Sequence, residues 1–257
     1  MKTQLLIILA IIICSCKSEK EQSTIDWKIP IVKDSLPIAN KYFETKKIRN
    51  PFNQLLFIGA KEDSILITKN SLNRNLYYPE FIEVNDSVNK KSEIEIIVDL
   101  NQELSIDFEK HSFPPAPPAS EPPIYVKAYP VFIRNITQDT VHIDNQDGEL
   151  FLIQEAKNKF GEWKPIEYWI YASCGNSYSY TSLGPNDILI LKKAKYQGTF
   201  ETDMRLKLRT NDKIVYSKPF KGSLNIEQFD LDNLDGFTKR GLKNRDEEYI
   251  DQILLNK

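Results

Sequence analysis

Apolar and polar residues alternate along most of this chain in short runs, with Gly, Pro, Asn and Asp falling between the runs. A period of two is the mark of β-strands with one buried face. The strongest instance is Glu93-Ile94-Glu95-Ile96-Ile97-Val98-Asp99-Leu100, then Asn101-Gln102-Glu103, then Leu104-Ser105-Ile106-Asp107-Phe108. Ile94, Ile96, Val98 and Leu100 share one face, while Leu104, Ile106 and Phe108 share a face of the next run. The pattern predicts a hairpin across the polar turn. Upstream, Asn53 to Gly59 and Ser64 to Thr68 predict two short strands around Ala60-Lys61-Glu62-Asp63.

Residues 124–227 hold about seven further strand candidates: Tyr129 to Arg134, Thr140 to Ile143, Leu150 to Gln154, Trp163 to Tyr171, Ile188 to Leu191, Met204 to Leu208 and Ile214 to Tyr216. Asp147-Gly148 predicts a type I′ turn. Asn158-Lys159, Gly184-Pro185-Asn186-Asp187 and Asn211-Asp212 are further turn signals. Many short strands in roughly a hundred residues predict an immunoglobulin-like sandwich. Ile133-Arg134-Asn135-Ile136-Thr137-Gln138-Asp139-Thr140-Val141 resembles the opening strands of bacterial immunoglobulin-like modules in exported proteins. That resemblance implies a fold and no particular activity.

Two segments break the β pattern. Between Pro114 and Pro123 lie six of the chain's 14 prolines, which cannot join a helix or a central strand. This stretch reads as a stiff spacer between two folded units, or as a ligand for a proline-recognition groove. At the far end, Asn244-Arg245-Asp246-Glu247-Glu248 offers a cap and an acidic first turn. Tyr249, Ile250, Ile253 and Leu254 then recur at helical spacing, predicting a short amphipathic helix over 245–255. The expected class is all-β: two β-sandwich-like units, the second immunoglobulin-like, with a short C-terminal helix. The expected divisions are 1–15, 16–25, 26–113, 114–123, 124–227 and 228–257.

The first two of those divisions are an address. Lys2 precedes an unbroken apolar run from Leu5 to Ile13, far shorter than the ~20 residues a spanning helix needs. Residues 1–15 therefore read as a signal peptide. Ile13-Cys14-Ser15-Cys16 resembles the cleavage box of bacterial lipoproteins, Bacteroidota-type outer-membrane lipoproteins among them. The resemblance implies that Cys16 becomes the first mature residue and carries diacylglycerol and further acyl chains of the palmitate kind. It implies a protein held on the outer membrane by lipid, facing the periplasm or the cell surface. Residues 16–25 read as a polar tether.

Composition narrows the chemistry. The 257 residues carry 34 basic and 36 acidic side chains, a net charge of −2, which argues against nucleic acid as a partner. Two histidines and three cysteines leave little material for zinc or thiol chemistry, and no metal or cofactor is expected. No nucleophile elbow, P-loop or metalloprotease motif is present. His111 abuts the proline-rich stretch, and His142 alternates against Val141 and Ile143. Cys174, His142 and Asp144 offer residue types for a nucleophile, base and orienter; the other reading of Cys174 is a small residue in a loop between strands. Asp230-Leu231-Asp232-Asn233-Leu234-Asp235-Gly236 matches a calcium loop only in part, because Leu234 takes a ligand position.

The densest functional signal is Tyr168-Trp169-Ile170-Tyr171-Ala172-Ser173-Cys174-Gly175-Asn176-Ser177-Tyr178-Ser179-Tyr180. Aromatic rings among Ser, Asn and Gly make either a contact surface or core filling between sheets. Tyr171, Asn176, Tyr178 and Tyr180 are the candidate contacts for a protein or glycan ligand. Ser35, Ser64, Ser87 and Thr140 each follow Asp and precede an aliphatic residue, which resembles the O-glycosylation sequon of exported Bacteroidota proteins. The expected function is a non-enzymatic binding or structural accessory of the cell envelope. The alternative is an envelope or glycan hydrolase acting through carboxylates that the sequence does not single out.

Overall fold

The structure is a computed structural model that describes residues 27–51, 53–67, 93–107, 124–211, 213–233 and 247–256. It is all-β with a short C-terminal helix, α1 (Glu247–Ile253). The centre is a sheet in the order β2 (Asn53–Ala60), β12 (Asp187–Ala194), β6 (Tyr125–Asn135), β4 (Ile94–Val98), with β5 (Leu104–Asp107) also paired to β6. All these pairings are antiparallel. A second sheet runs β10 (Trp163–Pro165), β9 (Leu152–Lys157), β13 (Phe200–Arg209), β14 (Ile214–Tyr216), with β15 (Phe220–Leu224) also on β13. A third runs β11 (Tyr178–Leu183), β7 (Val141–Gln146), β8 (Glu149–Leu150). Finally, β1 (Ile31–Asp34) pairs in parallel with β3 (Ser64–Ile67).

Strands β6 and β12 are apolar on both sides because both faces of the central sheet are covered. Tyr129, Val131 and Ile133 of β6, with Leu189 and Leu191 of β12, pack with Leu206 and Leu208 of β13 and with Val141 and Ile143 of β7. The alternate residues Ala128, Phe132, Ile188 and Ile190 pack in a second cluster with Val32, Ile65 and Ile67 of the β1–β3 pair. The sandwich of 124–227 is thus completed by strands that precede the proline-rich stretch. Residues 26–113 supply β2, β4 and β5 to the same sheet as β6 and β12, so 114–123 does not separate two sheets. The twofold division of the sandwich units expected from sequence gives way at this point to one shared sheet.

The hairpin expected across Asn101-Gln102-Glu103 is also corrected. β4 and β5 do not pair with each other but follow one another along the same edge of β6. Pro130 explains the arrangement. In a strand, N–H and C=O of one residue point to the same side, and the Pro130 carbonyl accepts from Asp99 N at 3.2 Å. The missing Pro130 N–H therefore faces the β4–β5 edge, where a continuous ladder cannot form. The chain bulges out between Val98 and Leu104 instead. From Val98 to Leu104 is six steps, opposite three on β6, so an odd excess is looped out and the alternation inverts. Ile94 and Ile96 consequently face one core while Leu104 and Ile106 face the other. The bulge is put to use: the Gln102 side chain donates to Pro30 O at 2.8 Å and accepts from Val32 N at 2.7 Å, tying β1 to the sheet.

Asp147 and Gly148 have φ of 54° and 83°, as a type I′ turn requires, and join β7 to β8. Leu150 to Gln154 is interrupted at Phe151, which lies between β8 and β9. Trp163 to Tyr171 is a strand only as far as Pro165. Beyond it the chain runs extended, and Glu167 bridges Arg49.

Because strands from both sides of 114–123 share one ladder, cutting the chain inside that stretch should not release two units. A protease site inserted there and cleaved should leave fragments that co-elute under native conditions and melt in one transition. Separated fragments that each keep a native circular dichroism spectrum would contradict the shared sheet.

Candidate functional site

The aromatic segment singled out in the sequence gathers around Phe151, which is 1% exposed. Trp169 lies 5.0 Å from it, Tyr171 5.7 Å and Tyr178 6.4 Å, the last two stacked. The Arg209 guanidinium covers the same ring at 4.4 Å. Trp169 N donates to Ile253 O at 2.7 Å, and Tyr171 OH donates to Gln252 O at 3.2 Å. These bonds seat α1 on the cluster, and Lys207 Nζ closes the far end by donating to Leu254 O at 3.1 Å and Asn256 Oδ1 at 2.6 Å. A lysine at the carbonyl end of a helix is favourable, because those carbonyls have no partner in the helix itself. Tyr171 is therefore a brace for α1. Tyr178 is 39% exposed, with its hydroxyl donating to Ala172 O at 2.7 Å. Tyr180 is half-buried beside His142, with ring centres 6.5 Å apart, and Asn176 is exposed in a short 3₁₀ turn, Gly175–Ser177.

A different group of the described residues forms a deeply buried polar cluster. Glu167 is 0% exposed and holds Lys193 Nζ at 2.5 Å, Gln154 N at 2.7 Å and Tyr196 OH at 2.9 Å. Lys193 Nζ also donates to Asn53 Oδ1 at 2.8 Å. Gln154 passes the network on: its Oε1 accepts from Tyr129 OH at 2.9 Å, and its Nε2 donates to Ala194 O at 3.2 Å. Burial lowers the affinity of Lys193 for its proton, and the Glu167 carboxylate pulls the other way. Burial, reinforced by the Glu167 charge, pushes both Tyr129 and Tyr196 well above the usual phenol range. Half-buried Glu149 is raised to about 7, by desolvation first, with Lys193 opposing and Asp147 adding to the rise.

Directly over this network lies a cleft of about 680 Å³. Tyr129, Gln154 and Tyr196 form its inner wall, so the network's outer surface is the cleft's floor. Tyr42, Leu100 and Phe220 give apolar walls, and Lys195, Gln197, Glu201, Thr202 and Ser223 give polar ones. The volume is within the ~300–1,000 Å³ of small-molecule sites, and the mixture of rings with a few polar groups is their usual lining. Sequence reasoning missed this place because its residues come from seven separate stretches of the chain. The only local hint is Lys192-Lys193-Ala194-Lys195-Tyr196, a charged end to an apolar run.

The remaining candidates are dispersed. His142 Nδ1 lies 2.9 Å from Ser182 Oγ on the outer face of the β7–β11 pair. Cys174 is exposed and precedes β11, whose first residue Tyr178 is opposite Gln146, while His142 is opposite Ser182. Four residues of strand, roughly 13 Å, separate Tyr178 from Ser182, and the His142 ring contacts Ser182 Oγ and the Tyr180 ring. Asp230 Oδ1 accepts from Asp232 N at 2.9 Å and shapes a turn; Leu234, Asp235 and Gly236 of the partial calcium loop lie outside the described residues. Among the described residues, no cluster of three or more His, Cys, Asp and Glu is placed to hold a metal ion. Ser35 and Thr140 are exposed and Ser64 is half-buried at the start of β3. Cys16, Ser87 and His111 lie outside the described residues. Comparison with protein-family models, with curated proteins and with solved structures gives no match to this chain.

The two roles assigned to the rings separate by mutation. Phe151→Ala should cost about 3–5 kcal/mol, as truncation of a fully buried ring does. Tyr178→Ala should cost within about 1 kcal/mol, having lost one exposed hydrogen bond and a partial stack. Chemical denaturation of the two variants measures both, and equal losses would place Tyr178 in the core with Phe151.

Proposed function

We propose that this chain is a non-enzymatic lipoprotein of the cell envelope, anchored to the outer membrane through lipid on Cys16, that binds its ligand in the cleft beside Tyr42 and Tyr196. The observation that carries the binding reading is the state of the cleft's floor. The Tyr129 and Tyr196 hydroxyls and the Gln154 amide are already committed, to one another's network and to Glu167. Such a floor offers fixed shape and ring surface to a ligand, not a proton in transit. Hydrolysis by carboxylates needs two facing acids about 5–9.5 Å apart. The cleft lining has Glu201, and Glu167 beneath it is held by four hydrogen bonds from Lys193, Tyr196 and Gln154.

Attachment rests on the residues of the leader. None of the described helices is long and apolar enough to cross a bilayer. The apolar run before Cys16 is too short for that as well, while acyl chains on one cysteine suffice to hold a protein at the surface. The residues after Cys16, Lys17 to Thr24, are polar and without an apolar side chain, as a tether between lipid and fold requires.

A Cys16→Ala variant expressed in a bacterium that processes lipoproteins should lose membrane fractionation and the mass of its acyl chains. Retention in the membrane fraction after a high-salt wash, without lipid, would refute the anchor.

A further inference from the structure

The described residues offer three places that the account so far leaves without a task. One is the ladder of Trp163, Arg205 and Tyr216 on the outer face of β10, β13 and β14, where the guanidinium sits 4.3 Å and 3.8 Å from the two rings. Arg205 is already paired there with Glu155 at 2.7 Å, so ring faces and charge are satisfied by each other. Another is Cys174, a free and exposed cysteine on its own. The third is the charge arrangement at the mouth of the cleft, and it points to a ligand.

We propose that the cleft takes an acidic saccharide, with the Lys195 ammonium meeting its carboxylate or sulfate and the rings of Tyr42 and Phe220 receiving its C–H faces. The proposal rests on the binding reading above and names the ligand class for the same cleft. Lys195 directly follows β12 and is fixed by its backbone, which donates to Lys127 O at 2.8 Å and accepts from Phe43 N at 3.0 Å. Its Nζ lies 5.8 Å from the centre of the Tyr42 ring. Lys127 Nζ lies 4.8 Å from the same ring but is held by Glu103 at 2.9 Å. Lys221, on the opposite wall, is held by Asp203 at 2.6 Å. Among the described residues, Lys195 is the cation of the cleft with no carboxylate partner, and it is half-buried.

An ammonium placed beside a ring in a partly enclosed cleft interacts more strongly with an anion than it would in open water. The neighbouring polar groups narrow the class further. Gln197 is exposed at the cleft with its side-chain amide uncommitted among the described residues. Thr202 Oγ1 already donates to Lys157 O at 2.8 Å and keeps accepting capacity, and Ser223 Oγ accepts from Gly198 N at 3.3 Å and keeps its donor. Glu201 is a hydroxyl acceptor and repels a second anion on its side. Rings, amide, hydroxyls and one cation together suit a sugar carrying an acid group. A bare inorganic anion would leave the rings idle, and a purely apolar ligand would strand the polar groups.

The test is calorimetric titration of the full chain, purified in detergent, with three acidic probes: digalacturonate, sialyllactose and a sulfated galactobiose. Galactobiose and lactose serve as neutral counterparts, and inorganic sulfate as the bare anion. At least one acidic probe should bind tenfold or more tighter than its neutral counterpart, and weaken as salt rises. Lys195→Gln should remove that tenfold preference without moving the melting temperature, and Tyr42→Ala should weaken acidic and neutral sugars alike. Equal affinity for acidic and neutral sugars, binding of sulfate alone, or a preference that survives Lys195→Gln would each overturn the inference. So would failure of all three acidic probes. A photo-crosslinker at position 197, activated in the native envelope, separates that failure from failure of the binding reading. Labelled material would leave a cleft with another class of ligand, and its absence would remove the cleft's binding role altogether.

Discussion

Two consecutive lysines in the middle layer hold this molecule together. Alternation along β12 sends Lys192 and Lys193 to opposite faces of the central sheet, and both are buried, at 1% and 0% exposure. A buried ammonium is tolerable only with a partner at short range. Each face therefore has to bring one from elsewhere in the chain. On one face Lys192 meets Asp34 of β1 at 2.5 Å and Ser105 O of β5 at 2.7 Å. On the other Lys193 meets Glu167 and Asn53. Moving either layer by one residue along the sheet would strand a charge, so the lysines set register where the apolar contacts alone would be more forgiving.

The same constraint builds the cleft. Glu167 lies past β10 in an extended stretch with no strand of its own, and the ion pair to Lys193 fixes it. Fixed there, its carboxylate orients Tyr196 and Gln154, and Gln154 orients Tyr129. The floor of the cleft is thus the outer side of a network whose inner side holds the sheets in place. The ring cluster around Phe151 answers a different need. Lys207, Trp169 and Tyr171 use it to seat α1 on the outer face of the second sheet.

Much of this was legible in the sequence. The period of two located β2, β3, β4, β6, β7, β12, β13 and β14, the Asp-Gly pair located the turn at Asp147-Gly148, and helical spacing located the amphipathic helix. The reading failed where the deciding partner was distant. The polar turn at 101–103 looked like a hairpin because the cause of the bulge, Pro130, stands on another strand. The proline-rich stretch looked like a boundary because strand pairing across it leaves no local trace. β11 has no apolar stripe, since Ser and Tyr alternate along Tyr178–Leu183, and it is absent from the strands that the pattern predicts. Consecutive lysines such as Lys192-Lys193 ordinarily stand in solvent. Nothing in the local pattern shows that Asp34 and Glu167 wait on the two sides.

The central claim is that the buried pair of Lys193 and Glu167 organises the sheets and the cleft above them. Urea denaturation of Lys193→Met, of Glu167→Leu and of the double variant tests it most directly. Each single change leaves one charge buried without its partner, and should cost about 3–5 kcal/mol. The double change removes both charges, so its loss should be well below the sum of the single losses and below either alone. Single variants within about 1 kcal/mol of the parent, or a double variant whose loss equals the sum, would contradict the account.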